Sequence, residues 1–273
     1  WHPARLSSAA PTGRVHAASM LAMPQHLYIL TGASRGMGLA MAQQLLHAGH
    51  SLLCISRQTN GELTALAATS GAQLTQWSQD LAQGVAASER LANWLGTQAD
   101  KDWASVTLIN NAGVIPRIGP MSQADAADLG HALRVGLEAP MQLTAAFLAA
   151  TDHWGMPRKV LNISSGLGRR AMASQAGYCA AKAGMDHFTR CLALEEALKP
   201  LGAKVCSLAP GVIDTDMQVQ LRGSPSEAFP DQSKFAQLKA SGQLSSPEQA
   251  AEQVLRFLAR SDFGQTPVAD VRA

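Results

Sequence analysis

Short runs of apolar, mostly β-favouring residues recur along this chain, each followed by a longer stretch with apolar residues at helical spacing. The runs predict strands at 27–30, 51–55, 73–76, 105–109, 159–163 and 204–208, with a last one near 268–271. Between them the pattern predicts helices over 36–48, 61–69, 83–97, roughly 124–150, 177–198 and 247–260. Val160, Leu161 and Ile163 illustrate the strand type: nearly continuous apolar positions, as in a parallel strand covered on both faces. Repeated strand-helix units of this kind imply a doubly wound parallel α/β sheet of about seven strands with helices on both faces. No internal repeat or Pro/Gly linker divides the pattern, so residues 26–273 are expected to form a single domain.

Two stretches fall outside the alternation. Residues 1–25 are rich in Ala, Ser and Pro, carry Arg5 and Arg14, and have neither an acidic residue nor an apolar period. They are expected to be a flexible N-terminal extension, although a transit peptide has the same acid-poor composition. The other stretch, 219–244, is polar, contains Pro225 and Pro230, and shows helical spacing only around Phe235 and Leu238. A long segment of this type in a compact domain reads as a substrate-covering flap, here bounded at about 212–245. Ser246-Pro-Glu-Gln249 then opens the next helix with a capping box and a proline at the first helical position.

Composition narrows the function classes. At 273 residues the chain can bury a substantial core, and 22 basic against 20 acidic residues give no electrostatic reason for a nucleic-acid partner. No apolar run approaches the roughly 20 residues that cross a bilayer, so no membrane association is expected. Cys54, Cys179, Cys191 and Cys206 lack metal-ligand spacing and fit thiols in a reducing, cytoplasmic setting, with no metal site.

The chemistry is carried by two stretches. Leu161-Asn-Ile-Ser-Ser165 ends a strand, and Tyr178-Cys-Ala-Ala-Lys182 follows on a helix, where residues four apart share a face. An ammonium beside a phenol favours the phenolate and lowers the tyrosine's pKa, while a serine hydroxyl can bond the oxygen that receives the proton. Taken alone, the pair is equally an ordinary helix face. Far upstream, Thr31-Gly-Ala-Ser-Arg-Gly-Met-Gly38 joins the strand at 27–30 to a helix. Glycines at 32, 36 and 38 suit a tight turn, close approach of a pyrophosphate and close helix packing, with the helix amino end towards the phosphates.

With both motifs in view the chain resembles the short-chain dehydrogenase/reductase family. The resemblance rests on Thr31-Gly-x-x-x-Gly-x-Gly38, Asn110-Asn-Ala-Gly113, Ser165 thirteen residues before Tyr178, Lys182, and Pro210-Gly211, in the family's order. It implies a Rossmann-type fold, a nicotinamide coenzyme and Ser165, Tyr178 and Lys182 as the catalytic residues. Coenzyme contacts are then expected from Gly32, Ser34, Arg35, Gly36, Met37 and Gly38 in the loop, and from Asp80, Leu81, Asn110, Ala112 and Gly113 at later strand ends. Asp80 also suits a cap for the helix beginning near residue 83. Tyr178 and Lys182 would touch the coenzyme too, as would Pro210, Gly211, Ile213, Thr215 and Met217 around its nicotinamide. The helices at 124–150 and 177–198 form the subunit interface in the family, which implies a homodimer or homotetramer.

The second strand bears on coenzyme choice. Selectivity for the unphosphorylated dinucleotide usually comes from an acidic residue at its end, and this chain has none before Glu62. Ser56 and Arg57 stand there instead, with Arg35 in the glycine loop, and two guanidinium groups suit a 2′-phosphate. NADP(H) is therefore expected.

The last third resembles sepiapterin reductases, a branch whose bacterial relatives include diketone reductases of the benzil type. Asp270 falls where that branch binds the amino-pyrimidine end of its pterin, although a solvated tail carboxylate fits the position equally. Ser165, Tyr178, Gly211 and Asp270 are the expected substrate contacts. One departure stands out: Gly136 occupies the place of an asparagine that relatives use to hold a helix kink in a proton relay, and a mid-helix glycine can bend a helix without the amide. The expected activity is NADPH-dependent reduction of a small-molecule ketone or 1,2-dicarbonyl. Benzil-type reduction, or a catalytically weak NADP(H)-binding regulatory role motivated by Gly136, is the alternative.

Overall fold

The computed structural model describes residues 25–272, so the expected N-terminal extension lies outside the described residues. Strands and helices alternate as β1 His26–Thr31, α1 Gly36–His47, β2 Ser51–Ser56, α2 Gly61–Ser70, β3 Leu74–Ser78, α3 Gly84–Gly96 and β4 Ser105–Asn110. The second half continues with α4 Ala126–Leu133, α5 Ala139–Thr151, β5 Arg158–Ile163, α6 Ala176–Ala197, β6 Lys204–Ala209, α7 Asp216–Arg222, α8 Gln232–Ala240, α9 Pro247–Leu258 and β7 Val268–Asp270.

All seven strands run parallel in the order β3-β2-β1-β4-β5-β6-β7. The direction of winding reverses between β1 and β4, which leaves a crevice above their carboxyl ends where the helices diverge to opposite faces. Side-chain alternation divides the core accordingly. Leu27, Ile29, Val106 and Leu108 face α3, α5 and α6, against Leu91, Phe147 and Leu192. Leu30, Cys54, Ile109 and Leu161 face α1, α2 and α9, against Met41, Leu63 and Val254. Phe147 is fully buried, and truncation to alanine is expected to cost about 3–5 kcal/mol.

Local chemistry sets several helix starts. Asn60 caps α2 by accepting the Glu62 N–H at 2.9 Å, and Asp125 caps α4 by accepting the Asp128 N–H at 2.8 Å. Ser246 and Gln249 form the expected reciprocal box at α9.

Two differences from the sequence pattern concern the site. The helix expected across 124–150 starts at Ala126 and is interrupted by a π-helical turn at Arg134–Glu138, with buried Gly136 at its centre. A π turn inserts a residue into the hydrogen-bond ladder, and this bends the helix. The second difference is the segment expected to be a flap, which contains α7 and α8 where the sequence shows only weak helical spacing. Both flap helices are anchored at Asp214, whose carboxylate pairs with Arg222 of α7 at 3.4 Å and with Lys239 of α8.

Candidate active site

A cavity of about 800 Å³ lies above the carboxyl ends of the strands. One end is lined by the loop between β1 and α1: Gly32, Ser34, Arg35, Gly36, Met37 and Gly38. The backbone is packed so tightly here that a Cβ on Gly38 would lie 2.0 Å from the Gly32 carbonyl oxygen. Gly32 has φ +72° and a Cβ there would meet the Ala112 backbone at 2.9 Å, so neither position accommodates a side chain. No side chain caps α1, which leaves its first-turn amides available to an anion, and Asn111 ties the loop to β4 through bonds to the Thr31 and Gly32 carbonyls. The loop is thus a backbone cradle open to the cavity, with no room for a side chain at Gly32 or Gly38.

At the end of β2, Ser56 is buried and its hydroxyl accepts the Ala33 N–H at 2.8 Å, fixing the loop to the strand. Arg57 follows it, exposed and without an ion-pair partner among the described residues. Arg35 reaches across the mouth of the cavity to Asp216 at 2.9 Å. Asp80 and Leu81 line the same end, and Asp80 accepts the Ala82 N–H at 2.9 Å, so it caps a turn while Gln83 holds the N-cap position of α3.

Ser165, Tyr178 and Lys182 converge at the middle of the cavity. Ser165 follows β5, and its Oγ accepts the Leu167 N–H at 3.2 Å while also bearing on the tyrosine hydroxyl. The Lys182 Nζ donates to the Ile163 carbonyl at 2.7 Å and lies 5.7 Å from the Tyr178 ring centre. Here the structure corrects an expectation. The phenol does not fall below its ordinary value beside the lysine: burial pushes Tyr178 up to about 12, with the Ser165 hydroxyl pulling the other way. Burial also lowers Lys182 to about 8, opposed by the Asp186 carboxylate one turn on. Charging either group alone is costly in this closed setting, so the tyrosine is a proton-holding phenol and the lysine the group that titrates nearest neutrality.

The remaining wall comes from Ala112, Gly113, Pro210, Gly211, Ile213 and Thr215, together with Met217 of the flap. Beneath the flap, Ile118, Leu221, Phe229 and Phe235 form a separate apolar cluster, joined by Ile115, Met172, Met217 and Leu238. Ile115, Met172, Met217, Leu221, Phe235 and Leu238 also line the cavity and give it an apolar wall on this side.

Two expected site residues stand apart from the cavity lining. Asn110 is buried on the opposite side, where its amide donates to Asn162 at 2.9 Å and to Thr144 at 3.2 Å; its neighbour Asn111 is the one that lines the cavity. Asp270 is engaged by Arg272 through paired bonds at 2.8 and 2.7 Å, which hold its carboxyl down at about 2. Arg272, not Asp270, lines the cavity. Sequence reasoning passed over His131, Arg170, Gln175 and Gln218, all of which line it. Only Gln175 carried a usable signal, lying three residues before Tyr178 and so on the same helix face. No group of three or more potential metal ligands occurs among the described residues, and no helix there is long and apolar enough to cross a membrane.

Comparison with known proteins agrees with this geometry. The profile of the family described as short chain dehydrogenase matches residues 26–225. A benzil reductase ((S)-benzoin forming) from Bacillus cereus is 36% identical over 240 residues, covering 88% of this chain and 96% of that protein. Sepiapterin reductase from Meriones unguiculatus is 30% identical over 245 residues, covering 86% and 92%. The crystal structure of a short-chain dehydrogenase/reductase from Burkholderia vietnamiensis superposes with a TM-score of 0.62 at 33% identity, covering 91% of this chain and 98% of that one.

Proposed function

This chain belongs to the short-chain dehydrogenase family, and from that premise we propose that it is an NADPH-dependent carbonyl reductase acting on a ketone or 1,2-dicarbonyl compound. The observation that carries the reading is a single cavity lined by the glycine cradle at one end and by Ser165, Tyr178 and Lys182 at its middle. The similarity to benzil and sepiapterin reductases supports a carbonyl substrate, as does the apolar wall under the flap.

The family uses a nicotinamide coenzyme, NAD(H) or NADP(H), and when bound it supplies the hydride. The tight backbone at Gly32 and Gly38 fits its pyrophosphate. Arg57 and Arg35 would hold a 2′-phosphate beside Ser56, with no carboxylate at the end of β2 to repel it. Ser165 bonds the substrate oxygen and sets its position. Tyr178, protonated throughout the physiological range, donates its proton to that oxygen as charge develops there. Lys182, in its charged form, lowers the cost of leaving the phenolate behind. Closure of α7 and α8 over the apolar end excludes water from these steps.

Tyr178→Phe is expected to lower kcat for dicarbonyl reduction by about 10²–10⁴-fold while NADPH affinity, measured by fluorescence titration, stays unchanged. Unaltered turnover would remove the tyrosine from its assigned role.

The second reading, a catalytically weak NADP(H)-binding protein, was motivated by Gly136. The π turn around that glycine speaks against it, because the bend is present without an asparagine. Four free cysteines support a reducing, cytoplasmic location. Exposed Met141 on α5 and Leu194 on α6 support a homo-oligomer assembled through these helices.

A further inference from the structure

Gln175 lies at the N-cap position of α6, three residues before Tyr178 and seven before Lys182, so all three share one helix face. Its side chain does not cap the helix. It is 2% exposed and lines the cavity, and its Nε2 donates to the Ser174 carbonyl at 3.1 Å. That bond fixes the orientation of the amide, because only the NH₂ end can face a carbonyl oxygen. The other end, Oε1, is buried without a hydrogen-bond partner. Buried acceptors are nearly always satisfied, so an orphan on a cavity wall points to a group that arrives from the cavity.

A second, independent observation concerns the preceding residue. Ser174 has φ +64°, the only positive value at a non-glycine position among the described residues. Strained backbone of this kind persists where the surroundings enforce it, and clusters at binding sites. Here the Ser174 hydroxyl donates to the Ala228 carbonyl at 2.7 Å and the Gly119 N–H donates to the Ser174 carbonyl at 3.3 Å. The corner is clamped from two sides, and its product is the placement of Gln175. Two other buried polar atoms without partners, Ser164 Oγ and Gln218 Oε1, belong to residues lining the same cavity. A hydroxyl can both donate and accept, so Ser164 does not discriminate between ligands, whereas the glutamine oxygens only accept.

We propose that Gln175 Oε1 is a substrate-specificity site that accepts a hydrogen bond from an O–H or N–H group close to the reacting carbonyl. The preferred substrates are then donor-bearing carbonyl compounds, such as α-hydroxy ketones or dicarbonyls with an adjacent N–H, rather than diketones without a donor. This rests on the carbonyl reductase reading of the same cavity.

Two matched substrate pairs test it: isatin against N-methylisatin, and 2-hydroxyacetophenone against 2-methoxyacetophenone, each with NADPH and the unmodified protein. The expected kcat/KM preference for the donor-bearing member is about tenfold in at least one pair. Gln175→Met, which keeps length and volume but removes the acceptor, is expected to abolish that preference by slowing the donor-bearing substrate alone. NADPH affinity is expected to stay constant. A preference in neither pair, an equal loss on both members, or a preference that survives Gln175→Met would overturn the proposal, as would a weakened NADPH affinity, which would assign Gln175 to the coenzyme. Failure of the wild-type protein to reduce all four compounds would overturn the reductase reading itself, and this inference with it. Should Gln175→Met not fold, Gln175→Leu also removes the acceptor and is expected to abolish the preference in the same way, and a preference that survives it would overturn the proposal.

Discussion

The tyrosine and lysine of this site are buried together, and their opposite shifts give the reaction a definite pH dependence. Tyr178 holds its proton up to about 12, so it does not limit reduction on the alkaline side. Lys182 is the limiting group: its pKa is lowered to about 8, and the charge that stabilises the phenolate is lost as pH rises through that value. Reduction of a dicarbonyl is therefore expected to be level around neutrality and to fall with a midpoint near pH 8, read from a kcat/KM profile. Asp186 holds the lysine up, so Asp186→Asn should move the falling limb to lower pH. Asp186 also accepts from Ser207 at 2.6 Å and from Arg169 at 3.1 Å, so the position of the limb, not the absolute rate, is the informative quantity. At the far end of the cavity, Arg57→Ala is expected to cut kcat/KM with NADPH by about 10–100-fold and leave NADH nearly untouched, the range of a lost charge-assisted bond. An equal loss with both coenzymes would take Arg57 away from the 2′-phosphate.

At the scale of elements, the π turn at Arg134–Glu138 bends the helix at Gly136 with no side-chain amide there. A Cβ on Gly136 would meet the Ala181 Cβ at 3.4 Å, an ordinary contact, so substitution there is sterically mild. Gly136→Ala is expected to raise Tm by about 2–4 °C through recovered helix propensity. Gly136→Asn is expected to change kcat by less than about threefold, and a gain of tenfold or more would favour the weak-binding reading. The sequence showed the glycine but not the turn, because π geometry depends on how α4 and α5 pack on α6 and leaves no periodic trace. Strands were legible to within two residues, since burial on both faces writes itself as uninterrupted apolar runs such as Leu52-Leu-Cys-Ile55. Helix α7 was not legible, being seven residues long and held by Asp214 pairing rather than by an apolar stripe. That Asn110 lies away from the cavity lining was not legible for a related reason. The motif named two consecutive asparagines, and the alternation of β4 decides which of them turns towards the cavity.

At the scale of the molecule, Asp214 ties α7 and α8 to the loop after β6 beside the cavity. Asp214→Asn weakens both tethers at once and is expected to raise KM about fivefold with a smaller effect on kcat. Light scattering is expected to give a mass two or four times that of one chain, and a monomer would rule out assembly through α5 and α6. One more property follows from the edge of the sheet. β7 is three residues long, half-buried, and paired in the sheet at Ser207, Leu208 and Ala209 alone, the positions just before Pro210 and Gly211 of the cavity wall. So short a ladder opens far more often than the interior strands, and its amides should trade hydrogen for deuterium earliest among the seven. Whatever steadies that wall from within should then slow the exchange at β7, so occupancy of the cavity would be read from a border it never touches.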